Sequence, residues 1–413
     1  MSAESVQLRH HRPFLAFWFA RVFTAGGFQV MSVAIAWQMY SLTGSAMDLG
    51  LVGLAEFAPR ILFMLQIGHV ADKFDRRTIS TLTKVLQLIA ALVLLVATAR
   101  GSVSRELFFI VAFLFGTARA FEMPATQAML PSIVPATLLP TAIAASASAM
   151  QAATIVAPAL GGFLFAIGPV ETYALSALVY LVATGLMLLV PSQPPAYKQQ
   201  GSALDSLLAG IHFIRSRPDI LGAISLDLFA VLLGGATALL PVFTKDILHA
   251  GAWGLGLLRS APAVGAILMS FWLAHRPIKR RVGKTMFAAV AVFGVATIVF
   301  GLSRNFAVSM AALAVLGASD MVSMVIRGAF VQLETPDDMR GRVSAVNGLF
   351  IGASNQLGEF ESGATAAWFG PVAAVVLGGV GTLAVVALWM RWFPSLAGRD
   401  GIQRAPVEQA AAA

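Results

Sequence analysis

The chain contains no cysteine, so disulfides, thiolate metal sites and a cysteine nucleophile are excluded. Charge is also scarce. Only 12% of the 413 residues are Asp, Glu, Lys or Arg, about half the share that a soluble surface needs. Most of this surface must therefore face lipid. His-Glu-x-x-His and Gly-x-Ser-x-Gly are absent too, which leaves no zinc-protease or serine-hydrolase arrangement. Gly283-Lys284-Thr285 ends like a phosphate loop, but Ile278 stands where that loop requires glycine. ATP-driven work and membrane-embedded enzyme chemistry thus have no motif to rest on. The histidines, His10, His11, His69, His212, His249 and His275, fall in loops or at segment ends and offer no metal-ligand spacing along a helix. No cofactor and no metal is expected.

What the chain has is hydrophobic length. Hydrophobic residues make up 58% of it, with a mean hydropathy of +0.81. Runs of about 20 apolar residues span a bilayer as helices, because every backbone group there must be bonded internally. Such runs lie near 14–40, 48–68, 78–99, 106–130, 137–167 and 171–190. A second set lies near 220–243, 253–274, 285–302, 306–332, 342–368 and 371–391. The first run is too long for a signal peptide. The expectation is an all-α membrane protein of twelve transmembrane helices in two six-helix bundles.

The formal charge of +8 and pI near 10.3 would point to nucleic acid in a soluble chain. Here the basic residues follow topology instead. Arg76, Arg77 and Lys84 come after the second segment, Arg276, Lys279, Arg280, Arg281 and Lys284 after the eighth, and Arg391 and Arg399 near the end. The alternate connections hold only Arg100, Arg105, Lys245 and Arg304. Positive-inside bias then places both termini in the cytoplasm, with the chain multi-pass in a cytoplasmic (inner) membrane. Membrane lipid is the expected surround, and nucleic acid is not an expected partner.

The organisation reads as an N-terminal bundle over 1–190, a cytoplasmic linker over 191–219, a C-terminal bundle over 220–393 and a tail over 394–413. Within the linker, Leu204, Leu207, Leu208, Ile211 and Ile214 share one helical face. This reads either as an amphipathic helix on the inner membrane surface or as a solvated connector. The halves also repeat. Ala58-Pro59 is echoed by Ala261-Pro262, Arg76-Arg77 by Arg280-Arg281, and Gly168-Pro169 by Gly370-Pro371. Parallel repeats of six helices place a substrate site near the midplane between the halves.

The loop after the second segment reads Gly68-His-Val-Ala-Asp72-Lys73-Phe-Asp75-Arg76-Arg77. It resembles the loop signature of the major facilitator superfamily, with a weaker copy at Trp272 to Arg281 in which His275 or Arg276 takes the aspartate position. The resemblance covers the whole chain in helix count and central linker. It implies an inner-gate motif of Gly68, Asp72, Arg76 and Arg77. Gly68 would let two helices approach closely, and Asp72 would face a helix N-terminus or a basic partner. Arg76 and Arg77 also satisfy simple positive-inside topology. Pro158, Gly161 and Gly162 in the fifth segment resemble the proline-glycine motif of antiporters in this superfamily, which implies export; a kinked helix packed through small residues explains them equally. Pro336-Asp337-Asp338-Met-Arg340-Gly341-Arg342 is similar to the branch that contains macrolide efflux proteins and the enterobactin exporter.

Ionisable residues inside a bilayer are expensive and mark function. Besides Arg21, the candidates are Glu56 and Arg60 in segment two, Arg119 and Glu122 in four, Asp227 in seven and Arg259 in eight. Asp320 and Arg327 fall in segment ten, and Glu359 and Glu361 in eleven. Segments three, six, nine and twelve, peripheral in this fold, carry none inside, with Lys84 placed at an inner end. Glu56 and Arg60 are four apart and are expected to pair, with direct substrate contact as the alternative. Arg119 and Asp320 are related by the repeat offset. Burial favours a neutral carboxyl group and a nearby arginine a charged one, so Asp320 or Glu122 is expected to carry a coupling proton, with Arg119 beside it. A static charge pair is the alternative. Gly26, Gly27, Gln29, Trp37 and Gln38 in segment one suit an amphipathic organic substrate.

The expected activity is therefore export of a small amphipathic organic molecule by alternating access, with proton antiport, by a monomer and not an enzyme. Import or facilitated diffusion, and a transporter-like membrane sensor, are the alternatives.

Overall fold

The computed structural model describes residues 8–192 and 203–401. Part of the expected linker, 193–202, and most of the expected tail, 402–413, lie outside the described residues. The helices in chain order are α1 (Arg12–Thr43), α2 (Ala46–Leu62), α3 (Met64–Lys73), α4 (Arg76–Ala99), α5 (Arg105–Ile133), α6 (Leu139–Ile167) and α7 (Pro169–Leu188). After α8 (Ala203–Ser216) and α9 (Pro218–Leu233), a short irregular stretch leads to α10 (Ala252–His275). Then come α11 (Val282–Leu302), α12 (Phe306–Glu334), α13 (Asp337–Phe369), α14 (Pro371–Trp392) and the one-turn α15 (Pro394–Ala397).

Local chemistry sets many of these boundaries. Ser45, Asp75, Ser104 and Asn305 cap α2, α4, α5 and α12 by accepting from backbone N–H groups of the first turn. Gly44 ends α1 in the left-handed conformation, φ 62°, which glycine adopts without steric cost. At both Gly-Pro repeats a glycine closes one helix and the proline opens the next, α6 to α7 and α13 to α14.

Ten helical stretches among the described residues are long and apolar enough to cross a membrane. The two expected segments outside that set have clear reasons for falling short. The second breaks at Phe63, four residues after Pro59, into α2 and α3. The eleventh, α13, is a continuous helix but carries Arg340, Arg342, Asn347, Asn355, Gln356, Glu359 and Glu361. The chain is a multi-pass membrane protein.

It forms two compact units. The first comprises Met1–Gln200 with Leu240–Ser260, and the second Gly201–Leu239 with Ala261–Ala413. Within the first, α1 packs on α6 and α7, α4 on α5 and α7, and α2 on α5. Phe14, Phe17, Ala20, Met129, Leu130 and Met187 fill one of its cores. Within the second, α9 packs on α13 and α14, and α11 on α12 and α14. Its core holds Leu226, Met286, Phe287, Ile326, Phe330 and Trp389. The helix pairings follow the six-helix repeat.

Close helix crossings rest on corresponding glycines in both units. A Cβ on Gly116 of α5 would overlap the Glu56 carbonyl of α2, and one on Gly317 of α12 would overlap the Pro262 carbonyl of α10. Each unit thus holds one helix pair together by backbone-to-backbone contact that any side chain would open. Gly68 does not play this part. A Cβ there would meet nothing within 4 Å, so the close approach expected of it is made at Gly116 instead.

Helix α8 forms as the periodicity predicts. Ile214 is buried in a cluster with Ile220, Ile224, Val331, Val343 and Val346, and Leu207 and Ile211 pack against the same cluster. Leu208 is exposed, and the side chain of Leu204 lies outside the described residues.

Candidate functional site

Four charged residues of the first unit, Arg21, Arg60, Arg119 and Glu122, line one cavity of about 290 Å³. Arg21, Thr24, Phe28 and Gln29 reach it from α1, Arg60 from the last turn of α2, and Gln87 from α4. Arg119, Glu122 and Met123 reach it from α5, with Met150 and Thr154 from α6. Successive helical turns explain the α5 set. Arg119, Glu122, Met123 and Thr126 are three and four apart, so they share one face.

The ion pairs around this cavity differ from the expected ones. Glu56 pairs with Arg119 across helices, Oε1 to Nη1 3.6 Å, and not with Arg60 one turn along. A shared helix face permits an i,i+4 pair worth a few tenths of a kcal/mol; here the α2–α5 crossing at Gly116 offers Glu56 a partner on the next helix. Among the described residues, Arg21 and Arg60 have no carboxylate within ion-pair distance. Arg21 lies over the Phe17 ring at 5.5 Å. Arg119 stacks on Phe28, its guanidinium carbon 3.8 Å from the ring centroid, and stays 42% exposed.

Lys84 corrects the sequence reading most sharply. It does not sit in an inner loop or at a solvated helix end, but is fully buried within the first unit. Its Nζ lies 2.5 Å from Glu122 Oε1 and also donates to Ser80 Oγ at 2.9 Å. Gln87 Nε2 donates to the other Glu122 oxygen at 3.4 Å. Glu122 is therefore held by a lysine and an amide from α4, the helix expected to be free of internal charge. The spacing of Lys84, one turn from Ser80 and Gln87, was the available signal.

Other candidates in this unit hold helices together. Arg259 of α10 donates to Ser32 Oγ of α1 at 2.7 Å and to its carbonyl. A Cβ on Gly161 would stand 2.9 Å from the Val30 Cα, and one on Gly162 2.9 Å from the Gly256 Cα. Pro158, Gly161 and Gly162 are all buried, at contacts of α6 with α1 and with the start of α10. Tyr40, at the end of α1, donates to Asp246, a contact the sequence reading missed. In the gate motif, Arg76 Nη1 donates to the Ala128 carbonyl at 3.1 Å, tying α4 to α5. Arg77 is half-buried. Asp72 lies on α3, and its side chain is outside the described residues.

In the second unit, Asp227 of α9 and Arg327 of α12 form a buried ion pair. Asp320, two turns before Arg327, lines a small void with Asp227, Ser319, Ser323 and Phe293. Among the described residues no cation stands within ion-pair distance of Asp320. Glu361 accepts from Thr365 Oγ1 at 2.7 Å, and Glu359, two residues earlier, is half-buried on another side of α13. A further cluster escaped the sequence reading. Arg399, past α14, pairs with Asp219 at 2.7 Å and with Glu334, fastening the end of the described chain to α9 and α12.

Among the described residues, such an assembly supplies charged and aromatic side chains inside spanning helices, which suits binding and passage of a solute. Comparison with known proteins agrees. The family described as transmembrane secretion effector matches residues 6–409. The enterobactin exporter EntS of Citrobacter koseri is 26% identical over 390 residues, 93% of this chain and 92% of that protein. Its counterpart in Escherichia coli O157:H7 is 26% identical over 388 residues, with 92% of each chain covered. Among solved structures, a bacterial homologue of the human lysosomal transporter Spinster superposes with a TM-score of 0.72 at 14% identity, covering 96% of this chain and 99% of that one. A POT family transporter in complex with 5-aminolevulinic acid gives 0.71 at 13% identity, with coverage of 94% and 97%. The chain belongs to the transmembrane secretion effector family of major facilitator transporters.

Proposed function

We propose that this transporter exports a small amphipathic organic molecule by alternating access, driven by inward proton flow, with both termini in the cytoplasm. The direction is supported by end-to-end likeness to proteins named as enterobactin exporters and by the small-residue contacts of α6. The lysine and arginine asymmetry between connections supports the orientation. One observation carries the coupling. Asp320 is a carboxylate in a spanning helix with no cation in ion-pair distance among the described residues, beside an Asp227–Arg327 pair that is already neutral. A proton can enter and leave such a group without stranding an opposite charge. Glu122, clamped by Lys84, is the weaker proton carrier, because protonating it would leave a buried ammonium unpaired.

The test is efflux from proteoliposomes under an imposed pH gradient, wild type beside Asp320→Asn, with a panel of dyes, macrolides and catecholate siderophores. Gradient-driven efflux that disappears in Asp320→Asn is the expected result. Full gradient-driven efflux by the variant removes Asp320 from the coupling. Flux that ignores the gradient replaces antiport with facilitated diffusion, and net gradient-driven uptake reverses the direction.

A further inference from the structure

We infer that the molecule handled at the first unit's cavity is an organic anion, bearing a carboxylate, catecholate or similar acidic group on an aromatic body. This rests on the transport reading above and narrows it to a substrate class. The cavity and its immediate partners hold four cations, Arg21, Arg60, Arg119 and Lys84, against two carboxylates, Glu56 and Glu122. Lys84 is neutralised by Glu122 at 2.5 Å and Arg119 is matched by Glu56 at 3.6 Å. Arg21 and Arg60 are left over, with no carboxylate in ion-pair distance among the described residues.

Two guanidinium groups in excess of the nearby carboxylates are costly within spanning helices unless something supplies the missing counter-charge. Guanidinium geometry favours a planar two-oxygen acceptor, which carboxylates and catecholates present. The rest of the wall favours an aromatic body over an inorganic ion. Phe28 lies flat under Arg119, and Met123 is more than half exposed beside it. Two aromatic planes and a guanidinium can stack there. An organic cation would meet the opposite field and gain nothing from Glu56 and Glu122, whose charges are already taken up.

Arg21 and Arg60 are also the residues to change, because removing either leaves no orphaned carboxylate behind. Arg119→Gln and Lys84→Gln would leave Glu56 and Glu122 without their cations and so change the carboxylates together with the cavity. The full-length protein, purified in detergent, is titrated with 5-carboxyfluorescein, with rhodamine 6G as a cationic dye of similar size, and with inorganic phosphate. Thermal stabilisation reads binding, and the same dyes are followed for flux in proteoliposomes. The expected result is stabilisation by carboxyfluorescein alone. Its affinity should fall about tenfold in Arg21→Gln or Arg60→Gln, the loss of one charge-assisted contact, with Arg60→Lys retaining more than Arg60→Gln. Stabilisation by rhodamine 6G in place of carboxyfluorescein overturns the inference and leaves export intact. Stabilisation by phosphate alone overturns it in favour of a small-anion site. Carboxyfluorescein that binds through the arginines but never moves would uphold the inference and defeat the export reading. No stabilisation by any probe, or stabilisation by carboxyfluorescein that ignores both substitutions, overturns the inference.

Discussion

In the first unit Arg119 and Glu56 stand 3.6 Å apart with the arginine 42% exposed to a cavity, whereas in the second Arg327 and Asp227 pair with side chains 4% and 7% exposed. Both arginines come from corresponding helices of the repeat, α5 and α12. The packing glycines correspond as well, Gly116 and Gly317 seating each helix on its neighbour. Duplication has thus kept the backbone contact and let the charges diverge. Where the first unit puts Arg119 the second has Asp320, and where the first buries Lys84 on α4 the second buries apolar residues such as Met286 and Phe287 on α11. One unit presents cations to a solute-sized space, and the other seals its arginine and leaves a carboxylate over. The proposed recognition and the proposed coupling accordingly fall in different units.

The largest test of that division is Arg327→Ala. It strands Asp227 in a nearly dry site and should cost about 3–5 kcal/mol, read as a lower thermal unfolding midpoint in detergent. The double replacement of Arg327 and Asp227 by Met and Leu should recover most of the loss. Arg119→Ala should cost far less stability, because its partner is more distant and its own charge is half solvated. Equal losses at Arg327 and Arg119 would break the comparison.

Lys84→Met comes next. It removes the one ammonium facing Glu122, whose side chain retains 12% exposure and the Gln87 amide. The expected cost is about 2–4 kcal/mol, toward the lower end of the range for breaking a buried pair. Adding Glu122→Gln should restore much of it, and a double-mutant cycle gives the coupling directly. A small coupling would mean that this pair does little to hold α4 against α5, and the contrast between the two units would lose one of its supports.

Gly116→Ala and Gly317→Ala sharpen the shared feature instead of the difference. Each adds a methyl group against a carbonyl of the adjoining helix, and each should cost about 1–3 kcal/mol through forced separation. Similar losses in unfolding midpoint are expected from both. A loss confined to Gly116 would show that the repeat is no longer mechanically equivalent.

These contrasts also mark what the sequence could yield. Spanning runs were legible because bilayer length and apolar composition leave few alternatives, and the charge-bearing helices stood out for the same reason. Partners were not legible. The rule that residues four apart share a face gave Glu56 to Arg60, yet helix crossing, set by Gly116, decided for Arg119. Lys84 looked topological because lysines cluster at inner ends, and nothing along α4 alone reveals Glu122 on α5 facing it. Gly68 belonged to a recognisable motif, but the glycine that matters for packing lay outside any motif.

The smallest effect belongs to Arg105, and it tests whether exposure or contact distance separates the halves. Arg105 meets Asp48 with two nitrogens, Nε at 2.8 Å and Nη2 at 2.5 Å, a closer contact than Arg119 makes with Glu56. If distance ruled, Arg105→Ala would be among the costly changes. Two features argue otherwise. The Arg105 side chain is 46% exposed, so water and salt take over much of its charge when the pair opens. Asp48 is itself only 5% exposed, but it sits in the first turn of α2, where the helix dipole favours a carboxylate. Removing the arginine therefore leaves Asp48 with the dipole and with the water that enters where the half-exposed arginine stood. The expected loss is about 0.2–1 kcal/mol, fading as salt is raised, and unfolding midpoints in low and high salt measure it. A loss near that of Arg327→Ala, unchanged by salt, would mean that short contacts carry these helices whatever their exposure, and the contrast between a solvated and a sealed arginine would lose its energetic basis.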